Sequence, residues 1–138
     1  MKISVPDASN YLKGLLLLIR KDRKISEEEH ELMARVGKNL GFEKNFVENA
    51  IHEILDNKYI TVIPPEFSSR EIAEKFLKDG LVLAASDNEI HPEEERWLLS
   101  VAARNNIDEA WFIGEKKNLK FRTESVHKLE ADTLQVNY

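Results

Sequence analysis

The side chains best suited to chemistry in this sequence are carboxylates that recur in two acidic segments. Asp22 precedes Glu29 by seven residues in the first segment, and Asp87 precedes Glu94 by seven residues in the second. Hard divalent cations such as Ca²⁺, Mg²⁺ and Mn²⁺ bind several carboxylate oxygens, so each pair is a candidate metal site. Basic residues flank Asp22 on both sides. We therefore expect the second pair to bind a cation more strongly than the first.

A structural role for the same glutamates stays open. Each lies near the start of a predicted helix, where a carboxylate interacts favourably with the helix dipole and can accept a hydrogen bond from a free backbone N–H group. Ser26 and Glu29 have the spacing of such a capping box. The two interpretations differ in one observable, which is whether a cation stabilises the folded protein.

Other kinds of site lack residues that their chemistry requires. An EF-hand loop that starts at Asp87 would need glycine at its sixth position and glutamate at its twelfth, but Pro92 and Leu98 occupy them. The His-Glu pairs at 30–31 and 52–53 lack the second histidine of a HExxH zinc motif. There is no cysteine, no GxSxG motif and no glycine-rich phosphate-binding loop. The sequence predicts no catalytic residue and a protein that is not an enzyme.

The two acidic segments belong to an internal repeat. The pattern DxxIxxEE begins at Asp22 and again at Asp87, at an offset of 65 residues. The same offset pairs apolar residues upstream of the pattern, among them Leu16 with Leu81. A repeat of this kind indicates that one helical unit was used twice, with an acidic loop at the same place in each copy.

Apolar residues at helical spacing place the helices of the first copy. The first predicted helix begins at Asp7 or Ser9 and contains the apolar block 15–19, which covers most of its circumference and is typical of a central helix. A second helix follows the capping box and ends at Gly41, because glycine tolerates the left-handed conformation at a helix end. The third is expected to bury Phe46 on its apolar face.

The second copy follows a segment that interrupts the helical pattern. Residues 57–67 are rich in β-branched side chains and contain two prolines, so we expect an extended strap that packs on the core. Ser68 and Glu71 have the spacing of another capping box, and Pro92 suits the first position of the next helix. A short helix then starts at Asp108. We predict one further helix in the tail that follows it.

Length and composition limit the classes of function. The chain of 138 residues is long enough for one globular domain, and 42% hydrophobic content is compatible with a packed core. A net charge of −5 argues against nucleic-acid binding, which depends on clustered Lys and Arg. Residues 1–10 do not resemble a signal peptide, and the apolar run 15–19 is too short to span a membrane. We expect a soluble, cytoplasmic protein, and the basic stretch 116–122 leaves peripheral membrane association open.

The repeat and its acidic loops resemble the TerB-like family, the tellurite-resistance-associated domain whose motif is approximately DGxIsxxE leading into an apolar helix. Here residues 22–29 read DRKISEEE and residues 87–94 read DNEIHPEE. The resemblance covers about residues 11–113 and extends to the N-terminal module of membrane-anchored J-domain co-chaperones. The motif's glycine is replaced here by Arg23 and Asn88.

The resemblance implies an all-α fold of two pseudo-symmetric halves, no catalytic activity and an acidic surface for divalent cations. We expect a single TerB-like domain of about seven helices, with repeat one at 11–56, a linker at 57–67, repeat two at 68–114 and a helical tail at 115–138. The function it implies is a non-enzymatic, stress-associated domain. The alternative is a metal-free protein-interaction module that docks a partner helix on the tail or on residues 59–63. A protein partner is expected, without a stated identity.

Overall fold

Six α-helices carry most of the chain in the computed structural model, which describes residues 1–21, 25–57, 62–87, 89–122 and 129–137. The helices are α1 (Val5–Arg20), α2 (Glu27–Asn39), α3 (Lys44–Asp56), α4 (Arg70–Ala84), α5 (Pro92–Arg104) and α6 (Glu109–Arg122). Short 3-10 turns cover Ala85–Asp87 and Glu130–Thr133, and two strands, β1 (Lys2–Ser4) and β2 (Gln135–Asn137), form a parallel pair. The predicted helical class is confirmed, with six α-helices described where about seven were predicted.

Helix α1 lies at the centre of the core, as its apolar block predicts. All five residues from Leu15 to Ile19 are buried, which requires neighbours on every side of the helix. Helices α2, α3, α4 and α5 each contact α1. At Gly14 an added Cβ atom would lie 2.7 Å from the ring of Phe76, so glycine allows α4 to approach closely. Both halves of the sequence therefore contribute to one hydrophobic core.

Three predicted helix ends in the repeats are confirmed. Ser26 and Glu29 form the capping box of α2. Gly41 has a φ angle of 83°, the left-handed conformation expected after the end of α2. Pro92 is the first residue of α5, where its missing N–H group has no helical partner to lose.

Two predicted helix starts are wrong, and the carboxylate of Asp7 is involved in both. Ser4, not Asp7 or Ser9, caps α1. Its hydroxyl accepts a hydrogen bond of 3.2 Å from the backbone N–H of Asp7 and donates one of 3.0 Å to the Asp7 carboxylate. The predicted capping box at Ser68 does not form. Instead Ser68 donates its backbone N–H and hydroxyl to the Asp7 carboxylate at 3.0 and 2.5 Å, and Ser69 caps α4.

Over residues 129–137 the tail does not form the predicted further helix, whereas residues 115–122 belong to helix α6. Helix α6 is longer than the short helix expected after Asp108 and reaches Arg122. Residues 129–137, which we call the C-terminal clasp, then form a 3-10 turn followed by β2. Strand β2 pairs with β1 in a register that places Ile3 opposite Val136. A continuous helix is excluded here because the backbone N–H groups of the clasp bond to a buried carboxylate and to β1.

The strap between the two copies contains no helix or strand over its described residues, 62–67, and residues 58–61 lie outside the described part of the chain. The side chain of Asn105 holds this strap in place. Its amide nitrogen donates to the carbonyl of Pro65 at 2.9 Å, and its amide oxygen accepts from the backbone N–H of Phe67 at 2.8 Å. The ring of Phe67 is consequently buried against the core.

The two copies bury equivalent apolar residues at several positions, but one apolar residue expected in the core is exposed. Leu16 and Leu81 are both buried, as the repeat predicts, while the superposition of the copies stays a prediction. Phe46, which was expected in the core, is 54% exposed, so that expectation is wrong. Val47 and Ile51 point α3 towards the core, and Phe46 lies about 100° from Val47 around the helix axis, at the edge of the buried face.

Candidate functional site

Glu29 and Glu94, the two glutamates predicted to bind metal, each cap the start of a helix at the same position, α2 for Glu29 and α5 for Glu94. The carboxylate of Glu29 accepts the backbone N–H of Ser26 at 3.0 Å, and the carboxylate of Glu94 accepts the backbone N–H of His91 at 3.2 Å. Their residues are only 4% and 2% exposed. Each carboxylate thus has a structural role that needs no ligand, as the alternative interpretation expects.

The aspartates of the two predicted pairs cannot be placed beside these caps. Asp22 lies outside the described residues, and Asp87 is described only as the last residue of a 3-10 turn, without its side chain. Within the described part of the chain, no group of three or more His, Asp or Glu side chains is arranged to hold a metal ion. Cation binding at Asp22 with Glu29 or at Asp87 with Glu94 therefore stays a prediction.

An open groove of about 520 Å³ lies between α1 and α3, in the first half of the chain. This volume is within the range of about 300–1,000 Å³ that is typical of ligand pockets. Its lining consists of Ser9, Leu12, Lys13 and Leu16 from α1, Phe42 from the loop before α3, and Phe46, Ala50, Glu53 and Ile54 from α3. The groove was not expected from the sequence.

The helical positions of the lining residues explain the shape of the groove. Leu12 and Leu16 lie one turn apart on α1 and are buried, so they form an apolar floor. Ala50 lies between Phe46 and Ile54 on α3, and its small side chain leaves the space that a larger residue would fill. The sequence signal for the groove is therefore a small residue between two large apolar residues on one helix face.

The rim of the groove combines a stacked aromatic pair, of which Phe46 is exposed and Phe42 is partly buried, with two opposite charges. The rings of Phe42 and Phe46 stack with centroids 5.4 Å apart and an interplanar angle of 16°. Lys13 on α1 and Glu53 on α3 are the only charged residues in the lining, and both are exposed. Neither side chain forms an ion pair with a described residue. The exposed side of Phe46 and these two charges are thus accessible to a partner.

A second polar feature is the carboxylate of Asp79, which is 1% exposed at the contact between α4 and the C-terminal clasp. Three donors surround it. The Tyr11 hydroxyl donates to Oδ2 at 2.5 Å, the backbone N–H of Glu130 to Oδ1 at 2.6 Å, and the backbone N–H of Ala131 to Oδ2 at 2.9 Å. Asp79 therefore joins α1, α4 and the clasp.

Burial raises the pKa of Asp79 to about 7, although the hydrogen bonds from Tyr11 and the clasp favour its charged form and oppose this shift. Burial and the neighbouring negative charge of Asp79 also raise the pKa of Tyr11 well above its usual range. Tyr11 is therefore a hydrogen-bond donor at neutral pH. This pair was not predicted from the sequence, because no residue near Asp79 in the sequence indicates that the backbone of residues 130 and 131 covers it.

Ion pairs reinforce the attachment of the clasp. Lys75 donates to the carboxylate of Glu130 at 3.2 Å. The guanidinium of Arg35 on α2 donates to the carboxylate of Asp132, and the side-chain amide of Asn39 on α2 donates to the same carboxylate at 2.6 Å. Partial desolvation opposes ionisation of Asp132, but the hydrogen bond and charge of Arg35 outweigh it and lower the pKa of that carboxyl. The clasp thus contacts α2 and α4 through polar groups as well as through its buried apolar residues.

Two features bear on contact with a membrane, namely the charge of the basic stretch 116–122 and the length and apolar character of the helices. Lys116 pairs with Glu95 at 2.7 Å, so part of the positive charge of this stretch is neutralised locally. The side chains of residues 120–122 lie outside the description. None of the described helices is both long enough and apolar enough to cross a membrane.

Comparison with known proteins assigns neither a family nor a function to this chain. The chain matches no protein-family model, no curated protein and no solved structure. The resemblance to the TerB-like family rests on the repeated motif alone and stays a prediction.

Proposed function

We propose that this protein is a non-enzymatic, helical interaction module that binds a protein partner in the groove between α1 and α3. The observation that carries the proposal is the exposure of Phe46, which is 54% accessible while the apolar residues on the floor of the same groove are buried. Aromatic residues, Phe among them, are enriched in protein interfaces relative to the rest of the protein surface.

The groove supports an interaction role better than the acidic segments support a cation role. Glu29 and Glu94 already accept backbone hydrogen bonds, whereas the groove has apolar surface and two charges without an ion-pair partner among the described residues. The stress-associated, cation-binding function implied by the TerB-like resemblance remains a separate prediction. The alternative expected from the sequence was also a metal-free interaction module, but with its docking surface on the tail or on residues 59–63; the proposed docking surface is the groove instead.

The proposal is tested by blocking the groove. In the Ala50→Arg variant a long side chain occupies the space between Phe46 and Ile54, and Ala103→Arg places the same change at an exposed alanine of α5 as a control. Proteins captured from the native host should bind the wild type and the control but not the blocked variant. Circular dichroism and melting temperature establish that both variants fold.

Two outcomes would contradict the proposal. A set of captured proteins that is the same for the wild type and for Ala50→Arg would exclude the groove as the binding surface. A set that is lost in chelator, and not in Ala50→Arg, would instead support the cation-binding function of the acidic segments.

A further inference from the structure

We infer that the occupant of the groove is an amphipathic helix of about two turns that carries acidic residues along one flank of its apolar stripe and basic residues along the other. This inference rests on the proposed function and specifies its partner. Helix-in-groove recognition places apolar side chains at i, i+3 or i+4, and i+7 into a cleft between helices. The length, the composition and the charges of this groove fit that mode of binding.

The length of the groove matches two turns of helix. The lining residues of α1 extend from Ser9 to Leu16, which is about 10 Å along the helix axis, and those of α3 extend from Phe46 to Ile54, about 12 Å. Two turns of a bound helix span about 11 Å and present three apolar side chains on one face. The buried floor and the stacked Phe42 and Phe46 rings provide apolar surface for these side chains.

The charges of the groove distinguish its two sides. Lys13 is carried by α1 and Glu53 by α3, so one wall of the groove is positive and the other is negative. A bound helix with acidic residues towards Lys13 and basic residues towards Glu53 pairs both charges. A helix with like charges on both flanks places one flank against a repelling wall, which lowers its affinity.

The opposite charges also set the direction of the bound helix. Turning an amphipathic helix end for end keeps its apolar stripe in the groove but exchanges its left and right flanks. A helix with one acidic and one basic flank therefore pairs with Lys13 and Glu53 in one direction only. The structure thus predicts a charge pattern for the partner and, for a given arrangement of its acidic and basic flanks, a single direction of binding.

Three synthetic peptides test the charge pattern. Each has about 18 residues, so that it forms a measurable fraction of helix, and three leucines at i, i+4 and i+7. The peptides carry Glu on one flank and Lys on the other, Glu on both flanks, or Lys on both flanks. The mixed peptide should bind the wild type about threefold to tenfold more tightly than either like-charged peptide at low salt, and this preference should disappear at about 0.5 M salt.

A spin label tests the direction. The protein has no cysteine, so a nitroxide on a single cysteine at the peptide N-terminus is the only label. It should broaden the NMR signals of residues at one end of the groove, near either Ser9 or Leu16. The double variant Lys13→Glu with Glu53→Lys exchanges the two charged walls at exposed positions, and the broadening should move to the opposite end.

The outcomes separate this inference from the proposed function. Equal affinities for the three peptides, or the same direction in the double variant, would overturn the charge-directed helix. Binding of no peptide, while Ala50→Arg still abolishes capture of the native partner, would overturn the helical occupant and leave the interaction module standing. Peptide binding that Ala50→Arg does not reduce would exclude the groove itself. A wild-type dimer that Ala50→Arg converts to monomer would identify a second copy as the occupant and overturn the inference.

Discussion

The buried carboxylate of Asp79 should make the folded protein less stable as the pH rises from about 4 to about 7. Its pKa in the folded protein is about 7, above the ordinary value of 3.8, because burial disfavours the charged form. At a pH between these two values, the Asp79 carboxyl has lost its proton in the unfolded chain but keeps it in the folded protein. The folded state then binds more protons, so the free energy of unfolding falls with rising pH. Below and above this window the contribution is constant.

The size of the effect follows from the two pKa values. Each unit of difference corresponds to about 1.36 kcal/mol, so the loss across the window is about 4 kcal/mol. This is a large part of the 5–15 kcal/mol of stability that is typical of a domain. Carboxyls with a lowered pKa, such as Asp132, contribute with the opposite sign. The measured quantity must therefore be a difference between the wild type and a variant in which Asp79 no longer ionises.

The substitution Asp79→Asn provides that difference. The amide retains the size of the carboxyl but has one acceptor oxygen, so one backbone N–H group of the clasp loses its partner at a cost of about 1–3 kcal/mol at acidic pH. As the pH rises to about 8, the wild type loses about 4 kcal/mol relative to the variant. The variant should be the less stable protein at about pH 4 and the more stable one at about pH 8.

Urea unfolding followed by circular dichroism, at constant ionic strength from about pH 4 to about pH 8, measures this crossover. Asp56→Asn, at an exposed carboxylate on the last residue of α3, is the matched control for the loss of one acidic group. A stability difference for Asp79→Asn that is independent of pH, or that grows as the pH rises, would refute the reasoning. It would mean that the three hydrogen bonds outweigh the desolvation of the carboxylate.

Millimolar Ca²⁺, Mg²⁺ or Mn²⁺ should raise the melting temperature relative to chelator, and Asp87→Asn with Glu94→Gln should remove that gain; equal melting temperatures would leave only the capping role. Arg35→Ala should reduce the amide hydrogen-exchange protection of the clasp at a cost of about 1 kcal/mol or less, because its ion pair with Asp132 is partly exposed; unchanged protection would count against this anchor. Gly37→Ala should reduce the free energy of unfolding by about 1–3 kcal/mol, because the added methyl group overlaps a valine side chain of α3; a loss below about 0.5 kcal/mol in urea unfolding would show that the contact relaxes.

Features that depend on short stretches of sequence were predictable. The capping box of Ser26 with Glu29, the turn at Gly41 and the helix start at Pro92 each depend on residues a few positions apart. The central position of α1 was also predictable, because an apolar block that surrounds a helix can be stable only in the interior. In these cases local chemistry and tertiary packing favour the same structure.

Features that depend on distant partners were not predictable. The capping box predicted at Ser68 does not form because Asp7, far from it in sequence but adjacent in the fold, accepts the hydrogen bonds of Ser68. Asp79 looks like an ordinary polar helix residue until the clasp covers it. Phe46 differs from its prediction in the opposite direction to Asp79. Its apolar character predicted burial, but its position at the edge of the buried face leaves it exposed. A hydrophobic pattern identifies a helix face but not the width of the surface that covers it.

The parallel pairing of β1 with β2 has a consequence for the order in which the protein can acquire its structure during synthesis. The pair joins Lys2 to Gln135, and the clasp that supplies two of the three donors to Asp79 follows all six helices in the sequence. Until residues 130 and 131 leave the ribosome, the helices can assemble only around a carboxylate that still needs water. Pairing of β2 with β1 is then the last event, and its entropic cost is set by the segment between α6 and the clasp, because the rest of the chain is already folded. We therefore expect nascent chains that lack the clasp to remain hydrated at Asp79 and sensitive to proteases, even when their helices are already formed.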